Sequence, residues 1–354
     1  MRRIFEAVRP LVDGQITSLE EQITSLEGAT GWINTPPVTS LGGATGWINS
    51  PSLSFDELRG KVVAVDFCTY TCINWIRTLP YIRAWDRRYA DQGLVVLGIH
   101  TPEFSVEKEV DNVRRALGQM HVRYPVAVDN DYAIWDSFTN QYWPALYLVD
   151  AEGRIRHRWF GEGDYEGSER MIRTLLVEAG AHLDDEDRPT QVDARGVEAD
   201  ADWDELRSPE TYLGSQRAQR FGSAGGIKPG ERYEYRVPER LTLNHWALSG
   251  QWTMQAERAV LKEQGGRLAM QFHARDVHLV QGPVARGVSI PFRVRLDGEP
   301  PGVAHGEDVD EDGRGVATDP RMYQLIRQPS PIVDRRFEIE FLEPGVGAFA
   351  LTFG

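Results

Sequence analysis

The sequence predicts an α/β domain with a mixed sheet and helices on both faces, followed by an all-β sandwich or jelly-roll domain. Three observations predict it. Continuous apolar runs alternate with helix-periodic segments from residue 62 to residue 179. Short strands of alternating polarity, punctuated by turn residues, follow residue 246. Between them, residues 184–205 hold ten Asp or Glu against two Arg, a composition that reads as an interdomain linker. A chain of 354 residues is long enough to bury two cores. The expected boundaries are an N-terminal extension over 1–42, the α/β domain over 43–181, an acidic linker over 182–209 and the β domain over 210–354.

The extension holds two duplications. QITSLEE is followed at once by QITSLEG, which puts Ile16 and Ile23 at a-type positions and Leu19 and Leu26 at d-type positions. Two such heptads predict a short amphipathic helix docked on its own domain, and they leave homo-oligomerisation open. GATGWINTPPVTSLG is then echoed fifteen residues later by GATGWINSPSLSFDE, whose second copy leads straight into the first strand.

From Lys61 the elements follow one another closely. VVAVDF (62–67) and LVVLGI (94–99) are continuous apolar runs, as buried parallel strands should be. A helix begins at Cys72, with Ile76, Leu79 and Trp85 on its apolar face and Pro80 kinking it. A helix over 106–117, the strand PVAVD and a short helix over 132–138 come next. ALYLVD and RIRHRWF flank the turn Ala151-Glu152-Gly153, a hairpin signal, and a last helix covers 167–179. In the β domain Leu268, Met270, Phe272 and Ala274 alternate with polar residues. So do Phe337, Ile339 and Phe341, and then Phe349, Leu351 and Phe353.

The charge balance excludes some classes of partner. A net charge of −14 disfavours nucleic acid and anionic membranes. No run reaches the roughly 18 apolar residues of a membrane span. The start, MRRIFEAVRPLVDGQ, lacks the apolar core of a secretory signal, so the expected compartment is the cytoplasm. Two cysteines, Cys68 and Cys72, cannot build a four-cysteine zinc site but can form one redox pair. No cofactor is expected.

Cys72 stands at a helix start, where unpaired backbone N–H groups and the helix dipole favour thiolate, so its pKa is expected to be lowered. Asp66 ends a buried strand two residues before Cys68, where a carboxylate can exchange a proton with a thiol. A capping or turn role is equally open to it. Trp143-Pro144 directly precedes a strand, where a cis proline would present backbone to an extended substrate.

Together these residues resemble the thioredoxin superfamily, and within it the soluble part of DipZ-type and TlpA-like thiol–disulfide proteins. VDF, a loop, a helix-start cysteine, a proline eight residues later and a proline opening a later strand reproduce that active-site layout. The likeness continues through GIHTPEF, QYWPALYLVDAEG, GEGDY, SPETYLG, GQW and YQLIRQ. It implies a thioredoxin-like domain, protein or small-molecule thiols and disulfides as partners, and a second domain resembling a carbohydrate-binding module. Family members often work outside the cytoplasm.

The chain departs from the family at one point. Where DFWTYTCINCIRTLPY is expected, it reads DFCTYTCINWIRTLPY: Trp75 takes the resolving position and Cys68 the tryptophan position. The resemblance makes Cys72 the nucleophile, Asp66 a proton relay, and Trp143, Pro144 and Trp75 the substrate contacts. Three readings of the departure follow. Cys68 resolves the mixed disulfide, or an external thiol does, or the domain is a binding scaffold without redox activity. A fourth reading is a thiol peroxidase, because Thr69 and Cys72 fit a T-x-x-C pattern, although Val65 stands where peroxidases of that kind carry proline.

Three further motifs are bland by comparison. GEGDYEG (161–167) reads as a tight turn, since its acids would repel phosphate. DVDEDG (308–313), with Asp319 beyond it, reads as a solvated acidic loop with a weak calcium site as the alternative. Trp246 and Trp252 read as core, with sugar stacking as the alternative.

Overall fold

The computed structural model describes residues 40–183 and 189–354. The heptads and most of the first GATGWIN copy lie outside the described residues. The first domain is a six-stranded mixed sheet in the order β1-β4-β3-β2-β5-β6. Its strands are β1 (Gly46–Ile48), β2 (Val62–Cys68), β3 (Leu94–His100), β4 (Val126–Val128), β5 (Ala145–Val149) and β6 (Ile155–Phe160). β2, β3 and β4 run parallel, while β5 pairs antiparallel with β2 and with β6. The helices are α1 (Ile73–Tyr89), α2 (Val110–Gln119), α3 (Ala133–Ser137) and α4 (Tyr165–Glu178).

β2 alternates between two cores. Val62, Ala64 and Cys68 face a cluster that includes α1 and α4, while Val63, Val65 and Phe67 face a second cluster with Trp135 and Phe138. Apolar residues on both faces explain why the strand reads as a continuous run.

Two elements differ from expectation. β1 was not expected as a strand; it pairs antiparallel with β4 at the sheet edge through only three residues. The helix expected over 106–117 is split into a 3-10 turn, Ser105–Lys108, and α2. Glu109 is extended between them at φ −76°, ψ 104°, which ends one helix and opens the other.

The second domain is antiparallel, along the path β14-β13-β16-β11-β9-β10-β17-β12-β15. Its strands are β7 (Thr211–Tyr212), β8 (Arg232–Tyr235), β9 (Trp246–Met254), β10 (Ala259–Leu261), β11 (Gly266–Phe272), β12 (Asp276–Pro283), β13 (Ile290–Leu296), β14 (Arg314–Ala317), β15 (Arg321–Arg327), β16 (Arg335–Phe341) and β17 (Val346–Phe353). The N-terminal half of β9 pairs with β11 and its C-terminal half with β10 and β8. Gly250, at φ 88°, sits between the halves, where a residue with a β-carbon would be strained. The two arms so formed enclose one core.

The outer face of β12, β15 and β17 packs on the first domain. Val280, Met322, Phe349 and Ala350 belong to the same buried cluster as Tyr70, Trp75 and Phe104. Phe349 was expected to share a face with Leu351 and Phe353. A register shift leaves it opposite no residue of β12, between Ala348 and Ala350, and turns it outward onto Phe104 at 5.2 Å. The segment between the domains is tied to α1 and α4: Glu198 pairs with Arg83 at 2.7 Å, and the Thr190 N–H donates to Glu169.

Candidate active site

Cys72 is the N-cap of α1, with extended φ and ψ, and it is half-buried. Its Sγ lies 4.0 Å from the carbonyl oxygen of Trp143, and the Trp143–Pro144 peptide is cis. The chain therefore brings the helix-start cysteine and the strand-opening proline together. Pro144 and Asp66 also line a cavity of about 20 Å³ beneath the site.

Burial pushes the Cys72 thiol well above its ordinary pKa. The backbone amides of Trp75 and Asn74 pull it down, but the Glu210 and Glu103 carboxylates push it further up. The expectation of a lowered value is thus overturned. The helix N-terminus supplies its amides, but desolvation and two nearby acids outweigh them.

Trp75 has no exposed surface, and its indole N–H donates to Asp66 Oδ2 at 2.9 Å. It was expected to touch substrate; instead it is core. The reason is local. Asp66 and Cys68 are two apart on β2 and so share the face that α1 covers, and the first turn of α1 lays the indole over them. Asp66 is buried, and burial raises its pKa to about 7 against the hydrogen bond from Trp75.

Cys68 is also buried, and its thiol donates to the Ile99 carbonyl on β3 at 3.4 Å. Burial, followed by the Asp66 charge, raises its pKa well above the ordinary range. Both cysteines are free thiols.

Sequence reasoning missed Glu107. This fully buried carboxylate accepts the Thr71 hydroxyl at 2.5 Å through Oε1. Its Oε2 accepts the backbone N–H groups of Glu103 at 2.6 Å and Phe104 at 2.8 Å. It thereby staples the loop that presents Cys72 to the loop after β3. The signal was one of three Glu between positions 103 and 109, indistinguishable in sequence from its more exposed neighbours.

The other motifs do not join the site. Trp246 and Trp252 have no exposed surface, and their N–H groups donate to Gln219 and Ser249 carbonyls, so neither can stack on a sugar. In the 308–313 loop, Asp308 binds Arg321 and the Gln324 N–H, while Asp312 binds Arg314. Among the described residues no cluster of His, Cys, Asp or Glu could hold a metal ion. The 161–167 segment, a turn that enters α4 at Tyr165, sends Glu162 into the domain contact, 3.3 Å from Arg77, whose guanidinium also lies 3.5 Å from the Phe353 carbonyl. Among the described residues no helix is long and apolar enough to cross a membrane.

Two family models agree with this architecture. Residues 48–158 match the AhpC/TSA family, and residues 208–354 match the thioredoxin-like C-terminal domain family. Protein DipZ of Mycobacterium bovis is 37% identical over 260 residues, which cover 73% of this chain and 34% of that protein. The chain therefore spans about a third of the length of that relative. Thiol-disulfide oxidoreductase YkuV of Bacillus subtilis is 25% identical, over 45% of this chain and 97% of its own. Among solved structures, a thiol-disulfide isomerase from Corynebacterium glutamicum is 24% identical with a TM-score of 0.36, over 39% of this chain and 95% of its own. The chain thus carries an AhpC/TSA-type domain followed by a thioredoxin-like C-terminal domain, and across the two it is a homologue of protein DipZ.

Proposed function

We propose that the protein is a thiol–disulfide oxidoreductase working through a single thiol, Cys72. The observation that carries this reading is the side chain at the resolving position. Trp75 is buried and hydrogen-bonded to Asp66, so no sulfur is available there. The Cys72 thiolate attacks a disulfide R–S–S–R, forms Cys72–S–S–R and releases R–S⁻. A thiolate from a second molecule then attacks the mixed disulfide. It leaves with the R–S group as a new disulfide and restores the Cys72 thiolate. Trp143 and Pro144 offer the backbone edge along which an extended substrate lies. Asp66, with its pKa near 7, is the candidate for proton transfer. Cys68 stays outside the cycle, its thiol buried and committed to the Ile99 carbonyl.

Insulin reduction with excess external thiol tests the proposal. Cys72→Ser is expected to abolish turnover and Cys68→Ser to keep most of it. An inactive wild-type chain would instead favour a binding scaffold. Alkylation after mild oxidation addresses Cys68: an internal Cys68–Cys72 disulfide would restore the dithiol reading. The AhpC/TSA match favours one second reading, a thiol peroxidase, in which the Cys72 thiolate reduces peroxide and becomes a sulfenic acid. Peroxide consumption that depends on Cys72 and exceeds insulin reduction would select it.

A further inference from the structure

Around Cys72 the two domains together build an acidic unit that the exchange chemistry leaves unused. Its placement follows from hydrogen bonds. Thr101 N–H donates to the Cys68 carbonyl, which ties the loop after β3 to the end of β2. Glu107 then joins the Thr71 hydroxyl, one residue from Cys72, to the backbone N–H of Glu103. Glu103 is thus held beside the cysteine loop, and its carboxylate reaches across to the second domain.

There it meets Tyr212. The Tyr212 hydroxyl lies 2.7 Å from Glu103 Oε1 and 2.8 Å from Glu210 Oε2. A phenol has one proton to donate, so two carboxylates converge on a single donor. Among the described residues, Arg217 is the cation bound to this group, 2.9 Å from Glu103 and stacked 3.3 Å over the Tyr212 ring. Arg115, whose charge acts on Tyr70 in the cysteine loop, is already paired with Asp319 at 2.9 Å. A cavity of about 90 Å³ beside the unit is lined by Glu103, Tyr212 and Arg217 and, on its other side, by Glu257. Burial, and then the Glu103 charge, raise Glu210 to about 7, so above that pH the carboxylates outnumber the guanidinium, and both Glu103 and Glu210 act on the Cys72 sulfur.

We infer that Glu103 and Glu210, gathered on Tyr212, make the protein select cationic or neutral disulfides and thiols over anionic ones. This rests on the exchange reading of Cys72. A disulfide flanked by ammonium or guanidinium groups gains from the acids as its sulfur approaches Cys72. A carboxylate-bearing partner such as glutathione is repelled, both as the disulfide attacked and as the thiolate that releases the adduct. The second domain then contributes specificity to a thiol that the first domain carries. Coulomb attraction and repulsion at this range separate singly charged partners by on the order of tenfold at low ionic strength, and salt narrows the gap.

The test is the rate at which Cys72 of the full chain acquires a mixed disulfide at pH 8, where Glu210 is ionised, read by mass spectrometry. The probes are cystamine (cationic), 2-hydroxyethyl disulfide (neutral) and oxidised glutathione (anionic). All three meet the same thiolate, so ratios between probes cancel any change in its pKa. The expected order is cystamine, then 2-hydroxyethyl disulfide, then glutathione, with the spread shrinking in 0.5 M salt on the order of a Debye length of 4 Å. Glu210→Gln, at an exposed residue, is expected to narrow the cystamine-to-glutathione ratio several-fold, and Glu103→Gln should act in the same direction. Equal rates, a glutathione preference, or ratios unmoved by both substitutions overturn the inference and leave the exchange reading standing. Absence of an adduct from every probe overturns the exchange reading and this inference with it.

Discussion

A thiol reacts as its thiolate, so the groups around Cys72 set how fast it can work at a given pH. Burial and the two glutamates hold its pKa well above the ordinary value. The expected consequence is a slow nucleophile at neutral pH that gains about tenfold per pH unit as the medium becomes alkaline. Iodoacetamide alkylation of Cys72, followed between pH 7 and 9, is expected to rise throughout that range. A plateau below pH 8 would show that the amides of Trp75 and Asn74 outweigh burial after all. At Cys68 the same experiment should give almost no modification of the native chain, because the side chain is buried against β3. Which cysteine begins the helix could be read from sequence. The sign of its pKa shift could not, because Glu210 lies 138 positions away and its approach is a product of domain packing.

Strand β2 and helix α1 meet through Asp66, Cys68 and Trp75, and the pattern expected from the family resemblance places tryptophan and cysteine the other way round. Total side-chain volume is nearly the same in either arrangement, which is the kind of exchange a close-packed core tolerates. Changing one member alone is a different matter. Trp75→Cys removes a fully buried indole and the donor to Asp66, so it is expected to cost about 3–5 kcal/mol in urea unfolding. Adding Cys68→Trp should recover more than half of that loss and give a C-x-x-C chain with higher insulin turnover. A double variant no more stable than Trp75→Cys would show that the two positions are not a packing pair. At this scale much was visible in advance. β2, β3 and β5 carry unbroken apolar runs because both faces are buried, and α1 carries a helical stripe. What escaped were elements held by tertiary contacts alone. Gly46–Ile48 is a strand only because β4 offers its edge, and Phe349 leaves its alternating pattern only because a bulge aims it at Phe104.

Across the whole molecule the two domains share one buried cluster, and several ionisable groups are buried within the fold. Their pKa values set the pH dependence of stability. Asp66, Glu107 and Glu162 are each raised to about 7, chiefly by burial. Folded, they keep protons that the unfolded chain has released above about pH 4.5. Their contribution is therefore fully present below that pH and is lost as pH rises through 7. Each can change stability by up to about 1.4 kcal/mol per pH unit within that window. His100 and His278 act in the opposite sense. Burial lowers both to about 3, so the folded chain keeps them neutral while the unfolded chain binds protons below about pH 6.5. Stability from the histidines is present above that pH and is lost as pH falls toward 3. Between pH 4.5 and 6.5 the two groups oppose each other, three acids against two histidines. Above 6.5 only the acids act, and beyond pH 8 the raised thiols of Cys68 and Cys72 add to the loss. Thermal unfolding is thus expected to show its highest Tm near pH 4.5, with a shallow fall to pH 6.5 and a steeper one above it. A Tm that climbs from pH 6.5 to 8.5 would mean that Asp66, Glu107 and Glu162 are ionised inside the fold. Replacing Glu107 by Gln separates the contributions: it keeps an acceptor for Thr71, removes one titrating group, and should flatten the slope between pH 6 and 8.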